Sequence, residues 1–181
     1  MKRHVALLRG INVGRAKRVA MADLRTLLGS LGYANVRTLL NSGNAVFDSA
    51  SGSPKSHANR IHEALATELD VNAQVVVKSA TEFASVASGN PHVDLATDPS
   101  RLLVVFTQQS SALSALADFA KTSWLPEALA VGQHAVYMWC PNGVIESKLA
   151  QAVRRNLGEL GTARNWSTVE KLSLLLQDDS A

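Results

Sequence analysis

Apolar and polar positions along this chain switch between two periods, and each switch marks an element. Val5-Ala6-Leu7-Leu8 is a short continuous apolar run, as a central strand covered by helices requires. Met21, Leu24, Leu27, Leu28 and Leu31 recur at helical spacing. Gly32 follows where a helix needs a left-handed terminal residue, with Tyr33 set to fold back on the last turn. Residues 36–40 and 45–47 are predicted strands around Asn41-Ser42-Gly43-Asn44, whose asparagines and glycine tolerate the positive φ angles of a tight hairpin. Residues 49–53 form a loop of small side chains. Pro54 then opens a helix with an apolar face of Ala58, Ile61, Leu65 and Leu69. A valine-rich strand is predicted over 73–77, and Ser79-Ala80-Thr81-Glu82 has the spacing of a capping box that starts a short helix through Ala87. Ser88-Gly89-Asn90-Pro91 breaks that helix, and the polar stretch 90–99 reads as a linker.

The second half repeats the order. A strand over 102–106 precedes a helix marked by Ala112, Leu113, Leu116 and Phe119. Strands over 129–131 and 135–140 flank Gly132-Gln133-His134, and Pro141-Asn142-Gly143 makes a turn. Leu149, Val153 and Leu157 line a helix, a short strand spans 161–164, and a second Ser-x-x-Glu box, Ser167 to Glu170, opens the last helix. Each half thus reads βαββαβ followed by a capped helix, which is the split βαβ pattern. The expected fold is α+β: two tandem ferredoxin-like units, residues 1–89 and 100–181, joined by the 90–99 linker. Each would hold an antiparallel sheet of order 4-1-3-2 with both helices on one face. A single mixed sheet shared by both halves is the competing arrangement.

Composition narrows the class. With 181 residues, 46% hydrophobic and 18% charged, the chain is globular rather than disordered. No apolar run approaches the ~18 residues that span a bilayer, so no membrane partner is expected. The apolar run after the basic N-terminus stops at four residues, too short for a signal peptide, and a soluble cytoplasmic protein is expected. Cys140 is the single cysteine, which excludes an intramolecular disulfide and a cysteine-based zinc site. The net charge of +3 conceals an asymmetry. Lys2, Arg3, Arg9, Arg15, Lys17 and Arg18 all precede the first acid, Asp23, leaving 12 basic and 15 acidic side chains after them. A local positive field of this kind attracts phosphate or carboxylate groups.

Topology says where such a group would sit. The first and third strands of a split βαβ unit are antiparallel neighbours, so the end of the first, at Arg9, lies beside the start of the third, at Asn44. One sheet edge then carries Arg9, Asn12, Arg15, Lys17, Arg18, Asn41, Ser42 and Asn44, a set of cations, amides and a hydroxyl suited to an anion. The N-terminus of the Met21 helix would add ~0.3–1 kcal/mol for a negative group. The same residues have a purely architectural reading: Asn-Ser-Gly-Asn is what a hairpin needs, and Asn12 can cap its own loop. A second cluster, Arg164-Asn165-Trp166, stands at a strand-to-helix junction. It could grip a planar or anionic ligand, or else staple the helix start.

Other chemistry is thinly represented. The chain lacks a Gly-x-Ser-x-Gly elbow, a phosphate-binding Gly-x4-Gly-Lys-Ser/Thr loop and a dinucleotide fingerprint, so no cofactor is expected. His4, His57, His62, His92 and His134 are scattered, and no metal is expected; Ser42 could act as a nucleophile only if a base such as His4 approached it. An RNA-recognition sheet would need aromatics on its central strands, where the first half offers only Phe47. Tyr137 and Trp139 share one strand face in the second half but fit a core equally well. Non-specific nucleic-acid binding through the basic N-terminal face, and self-association or protein interaction through free sheet edges, remain as alternatives to a small anionic ligand.

Leu8-Arg9-Gly10-Ile11-Asn12-Val13-Gly14, Met21-x-x-Leu24-Arg25, Ser42-Gly43-Asn44-x-Val46-Phe47 and Arg164-Asn165-Trp166-Ser167-Thr168-Val169 resemble the bacterial domain of unknown function 1697 family across essentially the whole chain. The resemblance implies tandem ferredoxin-like units and carries no established activity or catalytic residue. In the first loop this chain departs from the family pattern. Arg15 stands where a second glycine is usual, Lys17 where asparagine is common and Ala20 where proline is common, which makes the loop bulkier and more basic.

Overall fold

A computed structural model describes residues 1–13 and 18–178. The first half runs β1 (Lys2–Leu8), α1 (Met21–Ser30), β2 (Ala34–Leu39), β3 (Asn44–Ser49), α2 (Pro54–Leu69), β4 (Val75–Ser79) and α3 (Ala80–Ser88). The second runs β5 (Leu102–Thr107), α4 (Ser111–Ser114), β6 (Ala128–Val131), β7 (Ala135–Trp139), α5 (Lys148–Leu157), β8 (Gly161–Asn165) and α6 (Trp166–Gln177). The strands form two separate four-stranded sheets, ordered β2-β3-β1-β4 and β6-β7-β5-β8, in which every pairing is antiparallel. A single sheet shared by both halves is thereby excluded.

Local chemistry accounts for most element ends. Gly32 takes φ +80°, its N–H reaches the Gly29 carbonyl and the Tyr33 N–H reaches Leu28, closing α1 as its sequence requires. Pro54 is the first residue of α2, behind a cap in which the Ser53 and Ser56 side chains each bond the other's backbone N–H. Before α3, Glu82 accepts from the Ser79 N–H at 2.8 Å while the Ser79 hydroxyl accepts from the Glu82 N–H at 3.2 Å. α2 ends on Asp70 in a left-handed conformation, and Val71 N–H returns to the Leu65 carbonyl. Those returning residues delay β4 to Val75, two positions later than the valine pattern suggests.

Two expectations fail. The helix expected through Phe119 is only Ser111–Ser114, followed by turns and a 3-10 turn at Phe119–Lys121. Most bonds there run from residue i to i−3, and the Ser114 hydroxyl competes for the Ser111 carbonyl at 2.6 Å, which favours tight turns over a continuing α-helix. The second Ser-x-x-Glu box is also not the cap of α6. Asn165 accepts from the Thr168 N–H at 3.0 Å and its hydroxyl at 2.8 Å, so the cap lies two residues before Ser167 and the helix begins at Trp166.

Each sheet buries its alternate residues under helices. In the first, Ala6, Leu8, Phe47 and Val77 meet Leu24 and Leu28 of α1 and Ile61 and Leu65 of α2. In the second, Val105, Val136 and Met138 meet Leu149, Val153 and Leu157 of α5. Compact units form over Met1–Phe83 with Leu172–Ala181, and over Ala84–Lys171, a division placed differently from the 90–99 linker read from composition. The end of α6 belongs to the first unit because two arginines hold its terminal carbonyls. Arg3 donates to Leu176 and Asp178, and Arg37 to Leu175 and Asp178, with a second bond to the Asp178 carboxylate at 2.8 Å.

Candidate functional site

The edge where β1 ends is built by backbone first. Leu8 donates its N–H to the Gly43 carbonyl at 2.8 Å, and Arg9 donates its own to Gln74 at 2.9 Å, so the strand is held on both sides as it leaves the sheet. Gly43 sits buried at φ +80°; a Cβ there would stand 2.7 Å from the Leu8 Cβ and 2.9 Å from the Ile11 side chain. That close approach, rather than the turn alone, demands glycine.

Asn12 organises the loop beyond this edge. Its backbone is left-handed at φ +56°. Its side-chain oxygen accepts from the Val19 N–H at 2.9 Å, and its amide donates to the Val19 carbonyl at 2.8 Å and the Asn41 carbonyl at 2.7 Å. One amide therefore joins Asn12 to Val19 and fastens both to the β2–β3 turn. Asn44, fully buried, donates to the Leu39 carbonyl at 2.9 Å and the Ser42 hydroxyl at 3.0 Å. Asn12, Asn41, Ser42 and Asn44 thus come together, but the amides of Asn12 and Asn44 serve the loop and the turn. Arg9 is half-buried at the foot of the loop and Arg18 is exposed at its far end. Lys17 and Arg15 lie outside the described residues. α1 starts behind Ala20 without a side-chain cap, so its first-turn N–H groups take no bond from a capping side chain.

The Arg164 cluster is a feature of the second unit. Arg164 is buried on β8, where one nitrogen donates to the Thr162 hydroxyl at 2.9 Å and the Ala163 carbonyl at 2.8 Å, and burial pushes its pKa down to about 10. Asn165 caps α6, and the buried Trp166 donates its N–H to the Pro99 carbonyl at 3.1 Å. Tyr137 and Trp139 are buried too, the Tyr137 hydroxyl donating to the Val86 carbonyl at 2.9 Å. Base stacking on that pair is excluded by their burial.

A cluster not legible from spacing lies within the first unit. His4 of β1 and His57 of α2 meet edge to face with ring centroids 4.8 Å apart. The Ser49 hydroxyl lies 3.1 Å from His57 Nε2 and 3.4 Å from His4 Nδ1, while His57 Nδ1 lies 2.9 Å from the Tyr33 hydroxyl. All four are buried. His4 therefore approaches Ser49, not Ser42. Burial lowers the pKa of both imidazoles below the ordinary histidine value. The available signal was phase: His4 shares a strand face with Ala6 and Leu8, and His57 precedes Ile61 by one helical turn. Polar residues at core positions need partners, and these are each other's. Beside them Asp48 is buried, which alone would raise its pKa, yet hydrogen bonds from Arg3 at 3.0 Å and Asn35 at 2.9 Å outweigh that and lower it.

Among the described residues no group of three or more His, Cys, Asp or Glu side chains could hold a metal, and no helix is long and apolar enough to cross a membrane. The fold as a whole is shared with a solved structure, that of a conserved bacterial protein from Streptococcus pneumoniae, at a TM-score of 0.80 and 23% identity over 98% of this chain and 99% of that one. No curated protein matches the sequence. The family model described as "Protein of unknown function (DUF1697)" matches residues 1–137, and the chain belongs to that family. The match takes in the Arg9 edge and the histidine cluster; Arg164, Asn165 and Trp166 fall beyond it.

Proposed function

We propose that this protein is a cytoplasmic, tandem ferredoxin-like protein that binds a small phosphate-bearing ligand at the Arg9–Asn44 edge of its first unit. The strand order β4-β1-β3-β2 with α1 and α2 on one face supports the ferredoxin-like reading of that unit, and β8-β5-β7-β6 supports it for the second. The observation that carries the ligand reading is the Asn12 clamp. It fixes both ends of a loop whose sequence holds Arg15, Lys17 and Arg18, with Arg9 at its foot and the uncapped start of α1 after it. Cations near uncapped helical N–H groups suit a phosphate, and a loop pinned at its base loses less entropy on binding.

The test is a thermal-shift series with inorganic phosphate, nucleotides, sugar phosphates and short oligonucleotides at two salt concentrations. A ligand at about 100 times its Kd adds roughly 2.7 kcal/mol to stability and raises Tm measurably. The expected result is stabilisation by a small phosphate compound that Arg9→Ala and Lys17→Ala abolish. Stabilisation by oligonucleotides alone, collapsing with salt, would replace this reading with nucleic-acid binding through the basic face. No shift by any compound would remove both.

A further inference from the structure

We propose that His4 and His57 form an acid-sensitive latch that holds the 49–53 loop closed over the start of α2. Burial and the close approach of the two rings favour the neutral form of both. His4 Nδ1 lies 2.9 Å from the Lys2 carbonyl, which can only accept, so that nitrogen carries the proton. Its neighbour, the Ser49 hydroxyl, pairs with His57 Nε2, and the Tyr33 hydroxyl pairs with His57 Nδ1; because a hydroxyl both donates and accepts, one proton on the His57 ring satisfies the relay in either direction. The chain His4–Ser49–His57–Tyr33 is satisfied with one proton on each ring.

A second proton on either ring would be held in a buried site against a second imidazole. It would put a cation 4.8 Å from the other imidazole, with the Phe47 ring 5.4 Å from His4 and 5.6 Å from His57. The loop closes the remaining side: Gly52 lies so near that a Cβ on it would stand 2.6 Å from His57 Cε1. The charged groups facing the pair do not cancel the cost. Lys2 on β1 and Arg60 on α2 act with burial against protonation; Glu82 on α3 and Asp48 on β3 favour it at His4 alone, and burial remains the largest influence on both rings. Opening the loop hydrates both imidazoles. Each proton taken up on opening then multiplies the opening equilibrium by about tenfold per pH unit below the open-state pKa. Two histidines give up to about a hundredfold, and their titrations are coupled.

Residues 50–53 are exposed, small-residued and end in the Ser53 cap of α2, so the segment that opens is the entry to that helix. The test is amide hydrogen exchange on the full chain from about pH 7.5 to pH 5, read as protection factors. Protection over 50–53 and the first turn of α2 should fall with a slope approaching two protons, while the β1 and β3 amides hold. In His57→Gln, which keeps a hydrogen-bonding group without titrating, and in His4→Phe, the slope should drop to one proton. Level protection in the wild type, a parallel loss across the whole first sheet, or an unchanged slope in His57→Gln would overturn the latch. Should the variants not fold, the wild-type histidine Cε1–H resonances decide. Two coupled titrations below the ordinary value that track loop opening support the proposal, and independent, ordinary titrations overturn it.

Discussion

Replacing Asn12 separates architecture from ligand binding at the Arg9 edge. Asn12→Ala removes three hydrogen bonds, to the Val19 N–H, the Val19 carbonyl and the Asn41 carbonyl. Each contributes ~0.5–1.5 kcal/mol net, and partial exposure puts them toward the lower end. Alanine also occupies the left-handed region at φ +56° less willingly than asparagine, by ~1 kcal/mol. The sum is a loss of about 3 kcal/mol, at least for opening of the loop. Asn12→Gly loses the same bonds without the backbone strain and should cost about 1 kcal/mol less. Asn12→Asp keeps the bond from Val19 N–H but turns a carboxylate oxygen toward two carbonyls, so it should be no better than alanine at neutral pH and recover when protonated. The assay is Val19 amide exchange together with chemical denaturation followed by far-UV circular dichroism, because all three tryptophans lie in the second half of the chain. If Val19 keeps its wild-type protection in Asn12→Ala, or Asn12→Asp matches wild type at pH 7, the clamp does not hold the loop and the reasoning fails.

The same geometry sets three further outcomes. Gly43→Ala should cost about 2–3 kcal/mol in urea denaturation, since it combines a positive φ with a Cβ against Leu8 and Ile11; a change below about 0.5 kcal/mol would contradict the close approach. Tyr33→Phe should lose ~1–2 kcal/mol by leaving His57 Nδ1 without its partner, measurable as a lowered Tm. Asp48 has a folded-state pKa below its unfolded value of 3.8, so its contribution is present above that value and disappears as pH falls through the folded pKa. Asp48→Asn should flatten the acid limb of the stability–pH curve in that window, and an unchanged limb would mean that Arg3 and Asn35 do not stabilise the carboxylate.

Much of the frame was written in the order of residues. The apolar run at Val5, the 3.6-residue spacing of Leu24, Leu28, Ile61 and Leu65, the glycine after α1 and the Ser79–Glu82 box each act within a few residues of themselves. Backbone sterics and local hydrogen bonds therefore make them readable without a tertiary context. The placement of the end of β1 and Asn12 beside the Asn41–Asn44 turn was legible too, because antiparallel pairing of β1 with β3 leaves those two ends on one edge. Partnership across the chain was not legible. Asn12 could have capped its own loop or faced a ligand, and only the position of Val19 and Asn41 directed its amide. His4 and His57 are 53 residues apart in sequence and share a hydrogen-bond relay only because β1 and α2 pack on one face of the sheet. Asn165 displaced Ser167 as the cap of α6 because the end of β8 had already brought its side chain to the helix start. Short-range energies decided the elements; long-range packing decided which polar groups were left facing one another.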